Sequence, residues 1–152
     1  ILRVQDIGCR YLVLHPGSHV GEGAEVGLSL IIERLNAILD NLDTNVTILI
    51  ESMAGKGSEV GTNIDELKYL INNINKKENI GVCLDTCHLN DSGVDLSKFD
   101  EYLDESILQL SSTLLLTIPP PRMPFFTRLT IKYFFMGPPP YIQFYLIILY
   151  IV

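Results

Sequence analysis

The chain has no tryptophan and, among its 152 residues, only three cysteines and three histidines. An odd cysteine count without a CxxC pair argues against a disulfide framework, so Cys9, Cys83 and Cys87 are predicted to be buried, reduced thiols. No apolar run reaches the roughly 20 residues that a transmembrane helix needs. A basic and apolar leader is also missing from the start. We therefore expect an intracellular protein that is neither secreted nor inserted in a membrane.

Acidic residues disappear part-way along the chain. Residues 1–105 hold all 18 Asp and Glu and 8 of the 11 Lys and Arg, whereas residues 106–152 hold three basic residues and no acid. Seven of the eight prolines and nine of the thirteen Phe and Tyr lie in residues 106–152. This shift predicts a boundary at 105/106, followed by a Pro- and aromatic-rich tail that is foreign to the preceding fold.

Three apolar, strand-like runs each end on a side chain that binds metals. They cover residues 11–14, 46–50 and 81–84, and are followed by His15, Glu51 and Asp85. The spacings of 36 and 34 residues are about one strand–helix unit. A ligand at the carboxyl end of each successive parallel strand is typical of a site on the top face of a (β/α) barrel.

The same region repeats a strand, a Gly/Ser-rich loop and an amphipathic helix. Leu28, Ile31, Ile32 and Leu35 show the helical spacing in the first unit, and Ile64, Leu67, Leu70 and Ile71 show it in the second. We predict an α/β fold of about three βα units. A complete barrel needs about 250 residues and eight strands, so residues 1–105 are interpreted as a fragment of a (β/α)8 TIM barrel.

The strand-end residues favour a metal site. Carboxylates at the ends of apolar strands require a compensating cation, and Lys56 is the only Lys or Arg close to Glu51 in sequence. Together with His88, the donors are two imidazoles and two carboxylates, which suit Zn²⁺ or another first-row divalent ion. Taken singly, each could instead be an ordinary strand-end or helix-capping residue. Cys87 is expected to point away from the site.

Three sequence blocks resemble consecutive signature blocks of the endonuclease IV family, the zinc-dependent apurinic/apyrimidinic endonucleases of base excision repair. They are residues 14–19 (LHPGSH), 50–58 (IESMAGKGS) and 81–88 (GVCLDTCH). The resemblance covers residues 1 to about 105 and implies a xylose-isomerase-like TIM barrel. It also implies three zinc ions and cleavage of the phosphodiester 5′ to an abasic site in double-stranded DNA.

Each ligand role is implied by this resemblance alone. His15 would bind the first zinc, Glu51 would bridge the first and second, Asp85 would bind the second and His88 the third. Glu51 is therefore also the residue assigned to catalysis. His19 matches the motif but is expected to support the loop or a ligand rather than bind zinc. The resemblance assigns no DNA-contacting residue.

Five of the nine ligands of the family have no counterpart in this chain, so at most one or two zinc ions and little activity are expected. The acidic charge of residues 1–105 is also unfavourable for DNA binding. Two alternatives therefore stay open. One is a metal-dependent sugar isomerase or epimerase of the xylose-isomerase-like barrels, and the other is a non-catalytic, truncated gene product.

Overall fold

The structure, a computed structural model, describes residues 1–111, 130–131 and 146–149. Three parallel strands form its centre, in the order β1-β2-β3. The elements, in chain order, are α1 (Leu2–Asp6), β1 (Tyr11–Leu14), α2 (Ala24–Leu39), β2 (Thr47–Glu51), α3 (Ile64–Asn73), β3 (Ile80–Asp85), α4 (Thr86–Asp91) and α5 (Phe99–Ser111). The predicted class, an α/β fold of three βα units with parallel strands, is confirmed.

The register of the strands brings their carboxyl ends together. Leu14 lies opposite Ile50, so His15 emerges level with Glu51. Glu51 lies opposite Cys83, so Asp85 emerges two residues further along the neighbouring strand. Parallel pairing at this offset gathers three chemically active side chains at one edge of the sheet.

The central strands are buried because helices cover them. All five residues of β2 are buried, as are Ile80–Leu84 of β3. The core that encloses them consists largely of aliphatic side chains from α2, α3 and the strands, including Leu28, Leu35, Leu39, Leu67, Leu70, Ile71, Ile48, Ile50, Val82 and Leu84. By contrast, β1 alternates between exposed and half-buried positions, and within the described residues β2 is the strand paired with it.

At the amino end of the sheet, the side chains of Asn79 and Lys76 hydrogen-bond to backbone carbonyls. Asn79, which directly precedes β3 and is 5% exposed, donates from Nδ2 to the carbonyls of Thr44 (3.1 Å) and Val46 (3.0 Å). The ammonium of Lys76 donates to the carbonyl of Leu42 at 3.0 Å. These bonds fix the segment that leads into β2 against the segment that leads into β3.

The helix α5 runs to Ser111, beyond the predicted boundary at 105/106. Two short strands of the later region are described. Leu146–Leu149 (β5) pairs antiparallel with β3, and Thr130–Ile131 (β4) pairs antiparallel with β5. An antiparallel neighbour does not continue the parallel order that a (β/α)8 barrel requires. The rest of the predicted tail lies outside the described residues.

Two local expectations were wrong. The repeat of strand, Gly/Ser-rich loop and helix predicted a loop after the third strand, but the helix α4, residues 86–91, directly follows β3. Cys9 was predicted to be buried and is exposed, whereas Cys83 is buried and Cys87 is half-buried. Cys9 follows the end of α1 and precedes β1, and its thiol donates to the carbonyl of Tyr11 at 3.3 Å.

No helix among the described residues is both long enough and apolar enough to cross a bilayer.

Candidate metal centre

Glu51 lies at the centre of the site. It is the last residue of β2, and its side chain is only 6% exposed. Its two carboxylate oxygens face different imidazoles: Oε2 is 2.9 Å from Nε2 of His15, and Oε1 is 3.3 Å from Nδ1 of His88. The two rings meet edge to face, with centroids 5.8 Å apart. A buried carboxylate is thus held between two nitrogen donors.

Burial sets the electrostatics of this carboxylate. Desolvation raises the pKa of Glu51 above its usual value, because low-dielectric surroundings disfavour the charged form. The neighbouring His15 opposes the shift, the like charge of Asp85 adds to it, and His88 opposes it. A cation bound next to the ionised carboxylate of Glu51 would offset the cost of its desolvation.

The backbone carbonyl of Ser52 orients His88, and the hydroxyl of Ser52 anchors Asp85. Nδ1 of His88 lies 2.9 Å from the carbonyl oxygen of Ser52, a bond that requires the proton on Nδ1. In that tautomer Nε2 carries the free lone pair that metals bind, and a carbonyl partner on the other ring nitrogen is usual for metal-binding histidines. The hydroxyl of Ser52 also accepts from the backbone N–H of Asp85 at 3.1 Å.

Asp85 begins the helix α4. Its Oδ1 accepts from the backbone N–H groups of Cys87 (2.7 Å) and His88 (3.0 Å), an N-cap that joins the strand to the helix. Both of these bonds are made to Oδ1. The cap also explains the Asp-x-x-His spacing, because the capped first turn places the imidazole three residues later beside its own capping carboxylate.

The four predicted ligands are brought together. The ligand atoms of Glu51, Asp85 and His88 lie within 4.8 Å of one another, and His15 contacts Glu51 from the exposed side with 62% of its side chain accessible. Their individual roles toward particular ions stay a prediction. Two imidazoles and two carboxylates at this spacing form a donor set for zinc or a similar divalent ion.

His19 lies in the loop after β1. Its Nδ1 accepts from the backbone N–H groups of Gly21 and Gly23, each at 3.2 Å. The Cβ of His19 also lies against α2, where a Cβ added at Gly27 would approach it to 3.0 Å. These contacts give His19 a place in the packing of the loop.

The loops after β1 and β2 are bonded to each other. Ser18 and Glu59 form an antiparallel bridge, His19 N donates to the carbonyl of Ser58 (2.8 Å), and Val60 N donates to that of Gly17 (3.0 Å). A Cβ at Gly61, whose φ is +79°, would lie 2.7 Å from the ring of Pro16. The residue directly after His15 is therefore packed against the second loop.

Sequence reasoning missed the residues that support the ligands. Glu66 accepts at Oε2 from the backbone N–H groups of Gly61 (2.7 Å) and Thr62 (3.0 Å), while Asn63 Oδ1 caps Glu66 N at 2.9 Å. The Asn-x-x-Glu spacing at 63–66 is a helix-start signature that would have revealed this pair. The contacts of Ser52 leave no such signal, because they depend on how β2 lies beside β3.

Lys56 is the only Lys or Arg close to Glu51 in sequence, but it does not pair with the Glu51 carboxylate. Its ammonium pairs with the carboxylate of Asp91, at the end of α4. Within the described part of the chain, the side chains at ion-pair distance from Glu51 are the imidazoles of His15 and His88.

Most of the chain is similar in sequence to known proteins. Residues 1–113 match a family model described as a xylose isomerase-like TIM barrel. The chain is 47% identical over 112 residues to a probable endonuclease 4 of Ureaplasma parvum, covering 72% of this chain and 37% of that protein. It is 51% identical over 106 residues to the probable endonuclease 4 of Staphylococcus saprophyticus, covering 69% and 36%.

A third relative, the probable endonuclease 4 of Bacillus licheniformis, is 50% identical over 106 residues and is covered to 35%. The chain thus spans about a third of the length of the curated relatives it matches, and the matches lie in the region that carries the site. On this evidence the chain belongs to the xylose isomerase-like TIM barrel family, as a partial match to its endonuclease 4 members.

Proposed function

We propose that this chain carries part of the metal centre of a zinc-dependent endonuclease that hydrolyses the phosphodiester 5′ to abasic sites in double-stranded DNA. The observation that carries the proposal is the placement of Glu51, buried between the imidazoles of His15 and His88 and next to Asp85. The name endonuclease 4, shared by relatives about half identical over this region, supports DNA as the substrate. Such an enzyme works inside the cell, where its substrate is.

The residues fit a zinc ion on chemical grounds. Glu51 is a nearly buried carboxylate with no Lys or Arg among the ion pairs described for it, and it lies beside the imidazoles of His15 and His88. Asp85 and His88 would hold zinc together with Glu51, and His15 would complete the set from the exposed side. When bound, zinc would supply Lewis acidity to phosphate oxygens and lower the pKa of water.

The chain's own residues provide the orientation. The carbonyl of Ser52 holds the proton on Nδ1 of His88 and so presents Nε2. The N-cap of α4 fixes the carboxylate of Asp85 through Oδ1. The packing of Pro16 on the second loop restrains the backbone beside His15. Rigid support of this kind reduces the reorganisation needed when the substrate arrives.

This chain alone is proposed to hold at most one or two zinc ions and to have little activity. Four donors do not complete the three sites that the resemblance implies. Metal analysis after dialysis, on the unchanged chain and on Glu51→Gln, tests this directly. Three tightly held zinc ions per chain would contradict it.

A chimera tests the activity itself. Residues 1–106 of this chain would replace the matched segment of the S. saprophyticus relative, and cleavage would be followed on a duplex with one abasic site. We expect zinc-dependent cleavage on the 5′ side, abolished by Glu51→Gln in the same chimera. Isomerisation of ketose sugars without cleavage would favour the sugar isomerase alternative. A folded, zinc-loaded chimera with neither activity would favour a non-catalytic product.

A further inference from the structure

The loops at the carboxyl ends of the three parallel strands contain one lysine and no arginine. In residues 15–23, 52–63 and 86–95, Lys56 is the only Lys or Arg, against the four acids Glu22, Glu59, Asp91 and Asp95. A polyanion that reaches the metal centre meets an acidic rim, and association with DNA depends strongly on the cations that neutralise its phosphates. Lys56 is the one side chain of these loops that can do so.

The backbone at Lys56 is fixed while its side chain is exposed. Lys56 N donates to Oε2 of Glu59 at 2.8 Å, and the flanking Gly55 and Gly57 have φ of +77° and +66°, values suited to glycine in a tight turn. The side chain is 72% exposed. The ammonium can therefore move without any change in the loop that carries it.

Asp91 holds this ammonium beside the metal centre. It is the last residue of α4, the short helix that also carries His88. Its hydrogen bond with Lys56 is the main cause that lowers the pKa of the Asp91 carboxyl, and the nearby His88 acts in the same direction. An ion pair this exposed is weak, because water competes for both partners. A phosphate can displace the carboxylate readily.

We propose that Lys56 is a substrate-binding residue whose ammonium is held by Asp91 in the free protein and transfers to a phosphate of the DNA backbone when DNA binds. The proposal rests on the function proposed above and adds to it one residue outside the metal donors. Asp91 is then a positioning residue, which keeps the ammonium near the site and competes with the incoming phosphate.

The experiment measures binding of a fluorescent duplex with a tetrahydrofuran abasic analogue to the full chain with zinc present, over a series of salt concentrations. The variants are Lys56→Gln, Lys56→Arg, Asp91→Asn and the double variant Lys56→Gln/Asp91→Asn. The matched control is Arg34→Gln, which removes one positive charge from an equally exposed side chain on α2, 74% accessible. Circular dichroism and zinc content are recorded for each variant.

The slope of log Kobs against log salt concentration is negative. Lys56→Gln should reduce its magnitude by about 0.9, the value of one phosphate contact. Lys56→Arg should keep the slope of the unchanged chain, and so should Arg34→Gln. Asp91→Asn should raise affinity more in the unchanged background than in the Lys56→Gln background, because only the first contains an ammonium to release.

Two results would overturn the inference. One is a salt slope that Lys56→Gln leaves unchanged, and the other is an equal gain from Asp91→Asn in both backgrounds. If these occur while the duplex binds and zinc content is normal, the proposed function survives without this residue. If the unchanged, zinc-loaded chain binds no duplex at all, this inference fails, whereas the proposed function is decided by the chimera.

Discussion

The three parallel strands have polar side chains at both of their ends, but those side chains are paired differently at the amino and the carboxyl end. At the amino end, polar side chains such as Asn79 bond to backbone carbonyls. At the carboxyl end, Glu51 lies between the imidazoles of His15 and His88, and burial raises the pKa of Glu51. A neutral amide paired with carbonyls stabilises a fold at little electrostatic cost, whereas ionisable groups packed together do so only when their charges are matched. The first end holds the fold, and the second is suited to bind an ion.

The largest effect is expected from Glu51→Ala, which removes the carboxylate between the two imidazoles. Loss of a direct ligand should weaken zinc binding more than the 10–100-fold typical of supporting residues, so by more than about 100-fold. Titration calorimetry with zinc measures this. A variant that binds zinc as tightly as the unchanged chain would show that the carboxyl end is not specialised for metal.

Asn79→Ala should weaken the amino end of the sheet and leave the carboxyl end unaffected. The carbonyls of Thr44, which is half-buried, and of Val46, which is buried, lose their donor, and this should lower the free energy of unfolding by about 2 kcal/mol. Urea denaturation gives the value. Zinc affinity of the folded variant should be unchanged, and a loss comparable to that of Glu51→Ala would mean that the ends are coupled.

A smaller effect concerns pH in the metal-free chain. Burial raises the folded-state pKa of Glu51 above its ordinary value. The stability that this group contributes is therefore present below the unfolded pKa and is lost as pH rises through the folded pKa. Glu51→Gln should consequently be more stable than the unchanged chain at neutral pH, and the difference should vanish in acid.

Unfolding curves at several pH values, recorded with a chelator, measure that difference. With zinc present the order should reverse, because the metal binds the ionised carboxylate. If the unchanged chain is the more stable one without metal at neutral pH, the two histidines already compensate the carboxylate fully.

His19→Ala should have the smallest effect. The N–H groups of Gly21 and Gly23 lose their acceptor in a largely solvated loop, so the loss in stability should be about 0.5 kcal/mol. Zinc affinity should stay within experimental error, as expected for a histidine that packs a loop. A loss of zinc binding similar to that of Glu51→Ala would make His19 a ligand.

The fold was predictable where one strong physical preference acted. Continuous aliphatic runs that end at Glu51 and Asp85, each separated from the next by a helical repeat, predict parallel strands, since only helix-covered strands need be apolar on both faces. The same reasoning predicted that the metal-binding side chains lie together, because the carboxyl ends of neighbouring parallel strands lie side by side. The helix α4 was not predictable in this way. It is six residues long and is started by the side chain of Asp85 rather than by an apolar pattern.

The contacts that orient the metal-binding side chains were harder to predict from the sequence. The bond from His88 to the carbonyl of Ser52 links residues 36 positions apart, and it depends on the register between β2 and β3. The exposure of Cys9 depends on how α1 leads into β1. Residue type and spacing record which groups are chemically able to act, but the backbone that orients them is set by tertiary packing.

The backbone bridge between the loops after β1 and β2 has a consequence for engineering. Surface loops usually tolerate insertions, but here Gly17, Ser18 and His19 are bonded to residues 58–60 in a fixed alignment. One residue added to either loop would shift that alignment and displace Pro16 from Gly61. Grafting a loop from a relative would therefore succeed only if both loops were exchanged as a pair, and their lengths should vary together among natural relatives.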